Sequence, residues 1–287
     1  MENSFVDGKM TSEKNLLSNT KNLVLFFLIS FGISWLFQLP RVLMDNGLAQ
    51  ISPGLLKLSP FAVLGPFLAA FVLTYKSGGW EGIKALWKRG WDFNFDKKWL
   101  IVVFLLPVIS SGLTILGINL FGGKILWEYQ GFPIAMFFPV LLILFVTQAL
   151  PEEYGWRGFA LDRLQDRFNA LTASLVLGLL WGLWHLPLHF MNGTTQEVIP
   201  VFEFIIKQMV GAIFFTWIYN NTNRNVFLAI LLHAVWNVFG GLIPYWVTSQ
   251  GRWINFGVEL LLAGIIVGVF GARRMVWVNK KSINNVE

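Results

Sequence analysis

Eight long apolar runs divide this chain, and they restrict its fold more than any other feature. Windows of about 19 residues find them near 22–39, 58–75, 99–121, 133–153, 169–189, 203–219, 226–243 and 254–271. Each is long enough to cross a hydrocarbon layer roughly 30 Å thick as a helix. Backbone N–H and C=O groups find no water in lipid, so only helices and closed barrels can span it. Continuous runs such as Leu100 to Leu106 lack the alternation of barrel strands. The expected fold class is therefore all-α, a polytopic membrane protein with about eight transmembrane helices. Composition agrees: 55% of residues are hydrophobic and only 13% charged, whereas a soluble domain carries about 25% charged residues. The 27 Phe and 14 Trp suit lipid-facing surfaces and interfacial belts. With no Cys, disulfides, thiolate metal sites and cysteine nucleophiles are all excluded.

A net charge of +6 would suggest nucleic acid in a soluble protein. Here the basic residues sit in short segments between apolar runs, so the expected partner is the lipid bilayer and not nucleic acid. An even number of spans puts both termini on one side. Seventeen Lys and Arg then share that side, including Lys9, Lys14, Lys21, the six between Lys76 and Lys98, and Lys280 and Lys281. Only Arg41, Lys57, Lys124 and Arg252 fall opposite, with Lys207 near a helix end. This bias places both termini in the cytoplasm. The first run resembles a signal peptide in its basic flank, but it ends in Gln38-Leu39-Pro40-Arg41 without a small-residue cleavage site and reads as a retained helix. The organisation is a cytoplasmic tail over 1–21, one transmembrane domain over 22–271 with a motif core at 145–240, and a cytoplasmic tail over 272–287. Residues 80–89 are amphipathic and suited to the membrane surface. Neither internal repeats nor broken helices are evident, which leaves a transporter reading without support.

Chemistry is sought where polar residues persist in apolar runs despite the cost. His185 lies in Leu183-Trp184-His185-Leu186, and His233 in Leu231-Leu232-His233-Ala234, with Asn237 one turn further on the same face. Pro151-Glu152-Glu153-Tyr154-Gly155-Trp156-Arg157 closes the fourth run. Glu152 and His185 are equidistant from a midpoint between Phe168 and Asn169, where the polar run 162–167 ends, so a hairpin turning there sets them level. His233 stands about 12 Å of helix rise from Val226, compatible with the same depth in the cytoplasmic half of the membrane. Glu153 and Arg157 form an i, i+4 pair of favourable orientation. Read blandly, the Glu-Glu-Arg cluster is a solvated helix end, and the histidines and Asn237 are interhelical glue. His189 sits one turn from His185 beyond Pro187, toward the outer end. Glu259 is a lone carboxylate expected to reach the interface.

Glu152-Glu153-x-x-x-Arg157, an aromatic residue four before His185, and His233-x-x-x-Asn237 resemble the three motifs of the CPBP family. That family comprises the type II CAAX prenyl endopeptidases and bacteriocin-processing membrane proteases. Gly65-Pro66-Phe67-Leu68-Ala69-Ala70 in the second run is also similar. One position departs: the usual Phe of the second motif is Trp181 here. The resemblance implies hydrolysis of a peptide bond within the bilayer, in a hydrophobic or prenylated peptide or protein substrate. Glu152 would be the general base, His185 would orient the water, and His233 and Asn237 would donate to the oxyanion. Glu153 and Arg157 would form a buried pair, or Arg157 would meet a substrate carboxylate.

No cofactor is favoured, although His185, His233 and Glu152 are also a standard donor set for catalytic zinc. Against zinc, adjacent helix residues point about 100° apart, so Glu152 as ligand and Glu153 as base cannot easily face one site. A non-catalytic immunity or regulatory protein of the same fold is the alternative function.

The topology is testable because the chain has no native Cys. A Ser77→Cys variant should resist a membrane-impermeant thiol reagent in intact cells and react after permeabilisation. Labelling in intact cells would reverse the orientation.

Overall fold

The computed structural model describes residues 2–277, and for 2–18 the backbone alone. Lys280 and Lys281, the end of the expected C-terminal tail, lie outside the described residues, as do the side chains of Lys9 and Lys14. Among the described residues there is no strand. Eight main helices follow in order: α1 (Glu2–Asp45), α2 (Leu64–Arg89), α3 (Lys98–Leu120), α4 (137–165), α5 (Ala170–Trp184), α6 (Val201–Asn221), α7 (Val226–Leu242) and α8 (Ser249–Phe270). Among the described residues, seven helical segments are long and apolar enough to cross a membrane, and α7 is a shorter apolar helix. The protein is thus an all-α, multi-pass membrane protein, and its helices coincide with the eight apolar runs.

Several boundaries differ from the hydropathy pattern for local reasons. Pro40 does not end α1: the helix continues to Asp45, where Arg41 Nε meets Asp45 at 2.6 Å. α2 is broken at Gly79, whose φ of 59° and ψ of −152° are open to glycine alone. The limb from Trp80 to Arg89 folds back on the first, packing Trp87 against Phe71 and Trp80 against Tyr75, with ring centroids 6.3 and 5.3 Å apart. The expected amphipathic segment buries Leu86, beside Gly158 of α4, and exposes Trp80. α4 runs past the fourth apolar run to Gln165, and two wide π turns interrupt it. These breaks, like the one in α2, leave no trace in hydropathy.

The turn between α4 and α5 falls at 166–169, the position that the polar run indicated. Asn169 starts α5 by accepting from the backbone N–H of Thr172 at 2.8 Å, which satisfies one of the helix's orphan donors. α5 and α6 form a tight pair. At Gly178 a Cβ would lie 2.7 Å from the carbonyl oxygen of Gln208, leaving no room for a side chain.

Glu259 does not reach the interface. It is 1% exposed and pairs with Lys207 across α8 and α6 at 3.5 Å. The Lys207 ammonium also donates to Asn255 Oδ1 at 2.6 Å and to the Tyr245 hydroxyl at 2.8 Å. Asn255 passes a hydrogen bond on to Thr114 of α3 at 3.0 Å. A charge in an apolar layer is retained only with partners, and here the partners join three helices.

A Gly178→Val substitution should force α5 and α6 apart and cost about 1–3 kcal/mol, read as a lower thermal unfolding temperature in detergent. Gly32→Val, at a position with open space around it, should change little. Equal stability of the two variants would refute the close packing.

Candidate active site

The site is built on α4, whose central α-helical turn, Leu150–Gly155, lies between π turns at Phe145–Ala149 and Trp156–Leu161. Pro151 has no N–H to give to the carbonyl four residues back, so the ladder is already interrupted here. A π turn takes in an extra residue and re-aims the side chains around it. As a result Glu152, Glu153 and Arg157 all point inward, at 5%, 0% and 0% exposure. The reading of this cluster as a solvated helix end is overturned. His185, at the C-terminus of α5, and His233, in α7, are buried as well.

The two glutamates divide the work. Glu153 accepts from Arg157 Nη1 at 2.8 and 2.9 Å and from His233 Nδ1 at 2.8 Å. The guanidinium lies over the rings of both Trp181, 4.7 Å away, and Phe215, 4.0 Å away, which meet edge to face. Cation–π attraction of this kind is strongest in dehydrated surroundings. Arg157 is fully enclosed, and Nε and Nη2 have no hydrogen-bond partner. That enclosure does not suit a residue meant to receive a substrate carboxylate, so the buried ion pair is the reading that holds.

Glu152 turns the other way. Its Oε2 accepts from the indole N–H of Trp181 at 2.8 Å and, more weakly, from that of Trp156 at 3.4 Å. The first bond is one that the phenyl ring usual in the second motif could not make. His185 donates Nδ1–H to the Trp181 carbonyl at 2.8 Å, which fixes the ring's tautomer. Trp181 is the hub, with ring centroids 6.0 Å from His185 and 5.4 Å from His233.

On Glu152, His185 and His233, one polar atom each has no protein partner: Oε1, Nε2 and Nε2. None of them is among the enclosed, unsatisfied polar atoms, so each keeps some accessible surface. Asn237 stands one turn from His233 and gives its amide N–H to Gln148 Oε1 at 3.2 Å.

Among the described residues, no three His, Asp or Glu side chains are grouped so as to hold a metal ion. His189 bonds the Ile199 carbonyl at 3.0 Å and packs on Phe204, so it joins no donor set.

Motif reading did not single out Trp156, Phe215 or Gln148. The two aromatics look like ordinary belt or packing residues among many. Gln148 carried a signal, an amide one turn before Glu152 in an apolar run.

Fold and site together define a helical membrane protein with a buried Glu-Glu-Arg-His-His constellation and a half-buried Asn237 beside it. Residues 134–239 match the Rce1-like family of type II CAAX prenyl endopeptidases. The chain is 29% identical over 253 residues to CAAX prenyl protease 2 of Methanococcus maripaludis, covering 85% of this chain and 92% of that one. It is 22% identical over 176 residues to lysostaphin resistance protein A of Staphylococcus haemolyticus, covering 60% of this chain and 45% of that protein. These similarities bear out the resemblance carried by the three motifs.

Arg157→Met should leave Glu153 as a buried carboxylate without its cation. Breaking such a pair from one side costs about 3–5 kcal/mol, which thermal unfolding in detergent would register. Glu153→Leu combined with Arg157→Met should recover much of that loss. A stable single variant would contradict the geometry.

Proposed function

We propose that this protein is a membrane-embedded endopeptidase that hydrolyses a peptide bond in a hydrophobic or prenylated peptide or protein, using water activated by Glu152. One observation carries the reading. Each of three reactive groups has one polar atom pinned by the protein and the other left accessible: Glu152 Oε1, His185 Nε2 and His233 Nε2. The name of the Methanococcus relative, CAAX prenyl protease 2, supports the substrate class.

In this mechanism Glu152 Oε1 takes a proton from water as the oxygen attacks the scissile carbonyl carbon. Carboxylates in low-dielectric surroundings serve as general bases near neutral pH. His185 Nε2 accepts a hydrogen bond from the same water and orients it. The tetrahedral oxyanion is stabilised by the free N–H of Asn237 and by His233. Because Nδ1–H of His233 is committed to Glu153, donation from Nε2 needs a second proton, and the ring is then an imidazolium paired with Glu153. The proton held by Glu152 passes to the leaving amine as the C–N bond breaks. Glu153 and Arg157 do not touch the substrate; they hold His233 and the backbone of α4.

Glu152→Ala, His185→Ala and His233→Ala should each abolish cleavage of a hydrophobic or prenylated peptide by the purified protein while leaving it folded. A double variant should be no worse than a single one, as expected of groups that act as a unit. Asn237→Ala should be milder, about 10²–10³ in rate. Activity should survive stringent chelation. Robust cleavage by Glu152→Ala would remove the assigned base, and activity lost on chelation and restored by zinc would replace the mechanism. The name of the second relative points to resistance, and a resistance role without turnover is the alternative reading. It predicts a biological effect that the Glu152→Ala variant retains.

A further inference from the structure

Gln148 is used by no step above, yet it sits where a polar group is expensive. It is exposed on α4 beside Val146, itself 54% exposed, in the middle of an apolar span. An amide left without partners in lipid costs several kcal/mol. Its neighbour Thr147 returns its hydroxyl to the Ile143 carbonyl at 2.8 Å, the usual local remedy. Gln148 does not. Its Oε1 accepts from Asn237 Nδ2 at 3.2 Å, while its Nε2 and Asn237 Oδ1 have no protein partner. One unspent donor and one unspent acceptor therefore lie side by side.

A residue in an extended peptide presents its own N–H and C=O toward the same neighbour, as along a sheet edge. The unspent donor and acceptor are the complement of that pair. Gln148 is one turn from Glu152, and Asn237 is one turn from His233, so a segment held here lies about 5 Å along the helices from the reacting groups. At roughly 3.3 Å per residue of extended chain, that is within two residues of the scissile bond. The flank is open: in the most apolar 18-residue stretch of the span containing α4 only 11% of residues are buried, the smallest such share among the seven spans of the described residues. Leu142 and Ile143 on it are exposed to receive apolar side chains.

We propose that the Gln148–Asn237 amide pair is a clamp for the substrate backbone, with Gln148 Nε2 donating to a substrate carbonyl and Asn237 Oδ1 accepting from a substrate N–H. The second hydrogen on Asn237 Nδ2 stays available for the oxyanion. The inference rests on the protease reading and extends it to substrate binding.

The test compares wild type with Gln148→Met, which keeps side-chain length but removes the amide, and with Gln148→Glu, which keeps an acceptor for Asn237 but cannot donate when ionised. Substrates are one cleaved hydrophobic peptide and its single-position thioamide and N-methyl analogues within two residues of the scissile bond. Both variants should raise KM roughly 3–10-fold and leave kcat within about twofold. One thioamide analogue should lose a similar factor in wild type and nothing further in Gln148→Met. Unchanged KM, or analogue losses that are the same in wild type and variant, would overturn the clamp. Should wild type cleave no peptide, the protease reading fails. Binding of the same peptide to Glu152→Gln, with and without Gln148→Met, then decides the clamp by itself. Weaker binding in the double variant upholds it, and equal binding or none overturns it.

Discussion

A guanidinium with no exposed surface sits at the centre of this protein, and the surrounding helices are arranged to keep it. Removing a cation from water costs more than the fold can bear unless opposite charge and polarisable faces replace the solvent. For Arg157 the charge comes from Glu153 on its own helix, and the faces come from Trp181 of α5 and Phe215 of α6. Glu153 also accepts from His233 of α7. One buried charge thus ties together four helices, which a purely apolar interface in lipid would do less specifically, since lipid tails are as apolar as the side chains.

The same commitment explains the free carboxylate beside it. Successive helix residues diverge by about 100°, so with Glu153 turned to Arg157 its neighbour must face elsewhere. Glu152 meets two indole N–H groups, which hold one oxygen and leave the other accessible. The far end of α4 is secured separately. Arg89 donates to the Gly158 carbonyl, inside the second π turn, at 2.9 Å, and meets Asp162 at 3.1 Å. Tyr219 donates to Asp162 at 2.8 Å and also bonds Arg89. α4 is therefore pinned on both sides of its most irregular stretch, which is the stretch that aims the glutamates.

Much of this was legible without coordinates. Eight spans follow from the length of apolar runs. The α4–α5 turn follows from a polar run, and the Glu153–Arg157 pair from i, i+4 spacing on one helix. The divergence of the two glutamates follows from helix geometry. Glu259 was misread because its partner, Lys207, lies 52 positions earlier in the chain. Arg157 offered two uses, and only its enclosure by residues from α5 and α6 separates them.

The sequence by itself determined the bilayer as the solvent, the order and extent of the helices, and which polar residues lie at compatible depths. Each of these depends on local composition or on spacing along one helix, so one dimension suffices. Only the tertiary structure decided the fold-back at Gly79, the π turns of α4, the indole donors on Glu152, and the union of Gln148 with Asn237. Those depend on backbone angles and on contacts between distant segments. An apolar run reads the same whether its ladder is α or π, and a Trp reads the same whether its N–H faces lipid or a carboxylate.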